Sequence, residues 1–442
     1  MKNIIDTLKQ RGFIKQITNE AILNEKLNKG SVVFYCGFDP TADSLHVGHF
    51  VQLLVMKKMQ EAGHKPLVLI GGATAVVGDP SGKTDMREML SRDSIKKNVE
   101  AFKKQMRPFL TFTGDNGAVI VNNADWLSKL NYLDTIRDIG VHFSVNRMLT
   151  ADAFKARMER EQGGLSFLEL NYMVLQAYDF WHLYKNYGCT LQIGGSDQWS
   201  NIIAGADLIR RMEVVRAGQV SQAKAGQVGS KQAGQKGQSQ AEQAAQAGVS
   251  DEPLAFGWTN NLLLTSTGEK MGKTVGGAVW LCSKKTAPYD FYQYFRNLPD
   301  ADIENCLKLL TDVDLETIAL LVKHKDARIN EAKKVLAYEV TKLVHGEKVA
   351  CEVEKQAVAA FRGDTSDMPS VDIKCKAEYK LIDLLVDIGV AASKSEARRL
   401  IEGGAISVDK TKIVDINVSV GNKTFVLHKG KKTHIKVNML KD

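Results

Sequence analysis

No G-x-x-x-x-G-K-[ST] phosphate loop and no C-x-x-C pair occurs anywhere in the 442 residues. The first absence excludes the P-loop route to nucleotide binding, so any phosphate site must be built another way. Cysteine is scarce: six residues, at 36, 189, 282, 306, 351 and 375, with no histidine cluster at zinc spacing. That scatter argues against a zinc module or a disulfide framework, and the thiols read as reduced, in a cytoplasmic chain. A run of about 18 apolar residues is also missing, which argues against a transmembrane helix. The first residues, Met1 to Asp6, lack the apolar stretch of a signal peptide, and Asp6 and Glu20 argue against a transit peptide.

What is present is the composition of a globular chain, 44% hydrophobic and 25% charged, long enough for two or three domains. Up to about residue 215, apolar runs at 32–35, 67–70, 119–121 and 190–193 alternate with amphipathic helical patterns. Such alternation predicts a mostly parallel sheet with helices on both faces, and ligands beyond the strands' C-terminal ends. The first run leads into Tyr35-Cys36-Gly37-Phe38-Asp39-Pro40-Thr41 and then His46-Val47-Gly48-His49, after which Phe50, Val51, Leu53, Leu54 and Met56 keep helical spacing. This strand–loop–helix unit places two imidazoles at a helix entrance, where backbone N–H groups already favour an anion. Gly48 removes a side chain that would keep a ligand from the helix. Taken alone, the histidine pair equally fits a surface or core position.

A second motif, Lys270-Met271-Gly272-Lys273-Thr274, lies in a Thr/Ser/Gly-rich loop far downstream. A third is Gly194-Gly195-Ser196-Asp197-Gln198-Trp199, preceded by Tyr172-Met173-Val174-Leu175-Gln176-Ala177-Tyr178-Asp179, and a fourth is Gly78-Asp79-Pro80-Ser81-Gly82-Lys83. The histidine and lysine motifs together resemble the HIGH and KMSKS signatures of class I aminoacyl-tRNA synthetases, in the same order. With the other two, the chain is similar over nearly its whole length to the bacterial type of tyrosyl-tRNA synthetase.

The resemblance implies a ligase that activates L-tyrosine with ATP and transfers it to tRNA(Tyr). The carboxylate of an amino acid is already a nucleophile, so activation calls for positioning and for charge neutralisation on the leaving pyrophosphate. His46 and His49 suit the phosphate and ribose region and Thr41 the γ-phosphate side. Lys270, Lys273 and Thr274 suit the leaving group, with Lys83 and Arg87 adding to the same clamp. Cys36, Gly37, Asp39, Gly48 and Asp197 belong to the ATP side by the same resemblance, Asp197 at the ribose hydroxyls. On the tyrosine side, Asp179 and Tyr35 bracket the phenol. Tyr172 and Gln176, one helical turn apart, face the ammonium with Asp79; Gln198 meets the carboxylate, and Gln192 belongs to the inner shell. Magnesium is expected to arrive with ATP, with no protein-bound metal. The same fold in a tryptophan–tRNA ligase, or in a non-catalytic RNA-binding relative, is the competing reading.

The organisation expected is α/β: a Rossmann-like parallel-sheet catalytic domain over 1–288, a helical domain over 289–362, and a small α+β, S4-like RNA-binding domain over 376–442. Residues 216–249 repeat Ala, Gly, Gln and Lys with little to bury and read as a disordered surface insertion. The segment Thr259-Asn260-Asn261-Leu262 departs from the Pro-Leu ending of the family, and 363–369 reads as a linker. Net charge is +8, and residues 376–442 carry 11 Lys and 2 Arg against 8 Asp and Glu, a surplus of five. Ser393 and Glu396 have capping-box spacing, presenting Lys394, Arg398 and Arg399 near one helix; with Lys429, Lys431 and Lys432 they are the candidate RNA contacts. The resemblance also implies a homodimer.

Overall fold

Strands buried on both faces need continuous apolar runs rather than alternation. β1 (Ile14–Ile17), β2 (Val33–Phe38), β3 (Lys65–Ile70), β4 (Val119–Asn122), β5 (Cys189–Gly195) and β6 (Phe256–Asn260) form one sheet in the order β1-β6-β5-β2-β3-β4. All neighbours are parallel except β1, which runs antiparallel to β6. The order reverses at β2, with β3 and β4 to one side and β5 and β6 to the other, so a crevice opens between the C-terminal ends of β2 and β5. β1 was not foreseen: its sequence Ile-Lys-Gln-Ile is half exposed and too short to stand out as a strand.

The computed structural model describes residues 3–79, 91–151, 154–155, 158, 165–227, 252–274, 277–324, 326–362, 370–374, 379–409, 411–421, 423–430 and 433–440. Within these the chain divides into two compact units, Met1–Leu281 with Lys308–Leu310, and Cys282–Leu307 with Thr311–Asp442. Lys83, Arg87, Lys431, Lys432 and the expected linker at 363–369 lie outside the described residues, as does most of the insertion.

One expectation needs correcting. The composition predicts a disordered insertion from about 216, yet the Trp199–Gln227 helix continues through its first dozen residues. Ala, Gln, Val and Lys propagate a helix once a buried segment has nucleated it, and the lack of apolar residues does not stop that.

The second unit contains the Pro288–Arg296, Leu315–Leu321, Ile329–His345 and Glu347–Arg362 helices. Its last part is a five-stranded sheet in the order Thr411–Ile413, Ile406–Val408, Phe425–Lys429, Thr433–Leu440, Ser370–Lys374, with only the final pair parallel. The Leu381–Asp387 and Lys394–Glu402 helices bury Leu381, Leu384, Leu385, Ala397 and Ile401 against Ile406, Phe425, Leu427 and Val437 of that sheet. This core is drawn from residues 371–439 alone.

Candidate active site

The loop after β2 is pinned before it reaches the histidines. Asn98 donates to the Pro40 carbonyl at 2.9 Å, and Gln105 accepts from Leu45 N at 3.0 Å and Ser44 Oγ at 3.1 Å. His46 is then the N-cap of the Val47–Glu61 helix, its Nδ1 accepting from Gly48 N at 3.0 Å, while His46 N donates to His49 Nδ1 at 3.2 Å. The two rings stack with centroids 3.9 Å apart. A Cβ at Gly48 would lie 2.9 Å from His46 Cε1. The glycine is therefore needed first for the imidazole folded over it, and the bare helix entrance follows from that.

The lysine motif is strapped to the same helix start. Leu281 N donates to Leu45 O, Val47 N to Val279 O, and His46 pairs with Trp280 in an antiparallel bridge. Gly272 has φ +86°, a left-handed conformation, and a Cβ there would press on Val47 at 3.3 Å. Lys270 Nζ lies 3.1 Å from Asp197 Oδ2. The backbones of Lys273 and Thr274 pair with Ala278 and Gly277 in a short hairpin.

On the Phe167–Tyr187 helix, Tyr172, Gln176 and Asp179 form one stripe at spacings of four and three. A Ser166–Glu169 capping box starts the helix, and Gly188 at φ 65° ends it. Tyr172 Oη donates to Asp39 Oδ2 at 2.8 Å, and Thr74 Oγ1 donates to Asp39 Oδ1 at 2.8 Å. A second chain runs from Gln198, whose Nε2 donates to Asp79 Oδ2 at 2.8 Å, through Asn201 to Gln176 Oε1 at 2.9 Å. Asp179 is buried and accepts from Asn123 Nδ2 at 2.9 Å and Trp126 Nε1 at 2.7 Å. Burial raises its carboxyl to about 7, against those two hydrogen bonds. Burial, with Asp179 beside it, also pushes the Tyr35 hydroxyl well above its ordinary value, and that buried oxygen has no hydrogen-bond partner among the described residues. Burial pushes the Cys36 thiol up to about 12, which leaves it an inert wall.

Many of these side chains line one cavity of about 450 Å³ at the crevice. It brings together Tyr35, Cys36, Gly37, Asp39, Thr41, His46, Gly48, His49, Asp79, Tyr172, Gln176, Asp179, Gln192, Asp197, Gln198 and Lys270. Sequence reasoning missed Asn123, Trp126, Thr74 and Asn201, which tie the carboxylates and amides in place. The signal for the first two was available: Asn123-Ala124-Asp125-Trp126 directly follows β4, at the ligand edge of the sheet. In the second unit, Lys394, Arg398 and Arg399 are exposed on their helix. Ser393 Oγ caps Glu396 N at 3.3 Å, but the return bond from Glu396 goes to Ala392 N. Lys394 pairs with Asp383 at 2.7 Å, and Lys429 donates to the Val390 carbonyl at 2.8 Å.

Comparison with known proteins is consistent along the whole chain. The family of class I tRNA synthetases (W and Y) matches residues 27–362, and the tyrosine–tRNA ligase SYY-like C-terminal domain matches residues 361–437. The tyrosine–tRNA ligase of Acetivibrio thermocellus is 48% identical over 450 residues, covering 100% of both chains. That of Clostridium kluyveri is 48% identical, with 99% of each covered. Among solved structures, a C-terminally truncated mitochondrial tyrosyl-tRNA synthetase of Aspergillus nidulans superposes with a TM-score of 0.65 at 29% identity, over 82% of this chain and 95% of that one. With the two signature motifs strapped together over a cavity at the sheet's switch point, these matches show that the chain belongs to the class I aminoacyl-tRNA synthetases, among the bacterial-type tyrosyl-tRNA synthetases.

Proposed function

We propose that the protein is a tyrosine–tRNA ligase whose selectivity rests on the buried pair of Tyr35 and Asp179. The observation that carries this is the Tyr35 hydroxyl, without a partner among the described residues, beside a buried carboxylate in the wall of the cavity. A buried polar group without a partner is costly, and a substrate phenol supplies one. The phenol donates to Asp179 and accepts from Tyr35; phenylalanine offers neither bond, and the indole of tryptophan, a donor only, cannot accept from Tyr35. Tyr172 and Gln176, with Asp39 and Asp79 behind them, receive the ammonium, and Gln198 the carboxylate.

In the first step a tyrosine carboxylate oxygen attacks the α-phosphorus of ATP, and the bond to the pyrophosphate oxygen breaks. Negative charge grows on the leaving group, and His46, His49, Lys270, Lys273 and Thr41, together with Lys83 and Arg87, neutralise it. Asp197 holds the ribose, beside Cys36, Gly37 and Gly48. Magnesium enters bound to the nucleotide's phosphates. In the second step a ribose hydroxyl of the tRNA's 3′-terminal adenosine attacks the carbonyl carbon, and AMP departs. Residues 1–288 serve as the catalytic domain, 289–362 as the helical tRNA-binding domain and 376–442 as the S4-like domain. The setting is the cytoplasm. Tyr132, Leu133, Val141 and Phe167 are 63%, 73%, 71% and 67% exposed, and apolar side chains left this open support a homodimer. ATP–pyrophosphate exchange driven separately by Tyr, Trp and Phe tests the reading; exchange with Trp but not Tyr overturns it.

Because Lys270 acts on the leaving group, Lys270→Ala should lower the activation rate about a hundredfold with tyrosine affinity nearly unchanged. Pre-steady-state adenylate formation measures both; equal losses would make the loop a ground-state binding element.

Asp179 also sets a pH dependence. Its folded value, about 7, lies above the ordinary 3.8. Its stabilising contribution is therefore complete below that lower value and is lost as pH rises toward 7. The stability of wild type relative to Asp179→Asn should fall by about 2 kcal/mol between pH 5 and pH 7. Denaturant unfolding at several pH values measures it, and a flat difference would show that Asp179 is ionised throughout.

A further inference from the structure

The donor that holds Asp179 is itself held from behind. Trp126 lies on Ala124–Leu127, a helix of only four residues with no side-chain cap, too short to fix a large side chain by itself. What fixes the indole is the long Phe167–Tyr187 helix, which grips it twice. Asp179 takes its N–H edge at 2.7 Å, and His182 lies flat against its face, with ring centroids 4.2 Å apart and planes 11° apart. Asp179 and His182 are three residues apart on this helix and so share a face. The rings of Tyr178 and Tyr187 each stand 6.5 Å from His182, flanking the stack. Rotation of the indole would take one of two donors from a fully buried carboxylate and leave it free to turn away from Tyr35.

We propose that His182 is a positioning residue for tyrosine selection: stacked on Trp126, it holds the indole N–H on Asp179 and keeps that carboxylate aimed at the substrate phenol. It touches no substrate atom. The inference rests on Asp179 as the phenol's acceptor, and the two ideas can fail separately.

The test is ATP–pyrophosphate exchange by the full-length protein, with tyrosine, phenylalanine and ATP varied in turn. His182→Ala should raise the KM for tyrosine about threefold to tenfold, the range expected for loss of one aromatic stack. The preference for tyrosine over phenylalanine should fall by a similar factor. The ATP KM and kcat should stay within about twofold, because the stack is remote from the nucleotide. His182→Phe keeps a flat ring and should restore the tyrosine KM to within about twofold of wild type. An unchanged tyrosine KM in His182→Ala overturns the inference. So does a His182→Phe protein as impaired as His182→Ala, or a parallel rise in the ATP KM. Asp179→Asn serves as reference. If it lowers the tyrosine preference while His182→Ala does not, only the positioning role falls. If it leaves that preference intact, the reading of Asp179 falls and takes the inference with it.

Discussion

Replacing Asp179 by alanine should lower tyrosine-dependent pyrophosphate exchange by about a thousandfold in kcat/KM, the scale for removing one partner of a buried hydrogen-bonded pair. Three effects converge on the loss. The substrate phenol loses its acceptor, Tyr35 faces the substrate alone, and Asn123 and Trp126 lose theirs. The fold should survive, because the substitution also removes a carboxylate that burial makes costly to ionise. Cooperative thermal unfolding close to that of wild type would confirm this. Exchange driven by phenylalanine should fall much less, so the ratio of the two substrates is the sharper measurement. Tyrosine exchange within about tenfold of wild type would show that another group selects the amino acid.

The residues read correctly from the sequence as neighbours share a physical reason. Tyr172, Gln176 and Asp179 lie on one long helix, where spacings of four and three put them on one stripe before anything is known of the fold. The runs that became β2 and most of β3 are buried and so are apolar without interruption, whereas β5 breaks its run with Thr190 and Gln192. Asp39 was legible only as a residue of the loop after β2. Its bonds to Tyr172 and Thr74 join segments far apart in sequence, which no local pattern encodes. Trp126 and His182 escaped for the same reason, since a ring stack between a four-residue helix and a long one leaves no periodic trace. Gly48 shows the converse. Its smallness was legible, but what it makes room for is the ring of His46 two residues earlier.

Ending the chain after Arg362 should separate the two steps of the reaction. Every residue assigned to adenylate formation, from Tyr35 to Thr274, precedes the cut, so tyrosine-dependent exchange should remain within a few-fold of wild type. The removed part carries its own apolar core, drawn from residues 371–439, so its loss should not unfold what is left. Charging of tRNA should fall by about a thousandfold, because Lys394, Arg398, Arg399, Lys429, Lys431 and Lys432 go with it and contacts of this kind are mainly to phosphates. Binding of tRNA by the intact protein should accordingly weaken steeply as salt is raised, and the truncated protein should lose most of that slope. Arg398 and Arg399 should account for more of it than Lys429, whose ammonium is already engaged by the Val390 carbonyl. Charging by the truncated protein at the intact rate would make the C-terminal segment a structural appendage, with recognition of tRNA placed wholly in the first 362 residues.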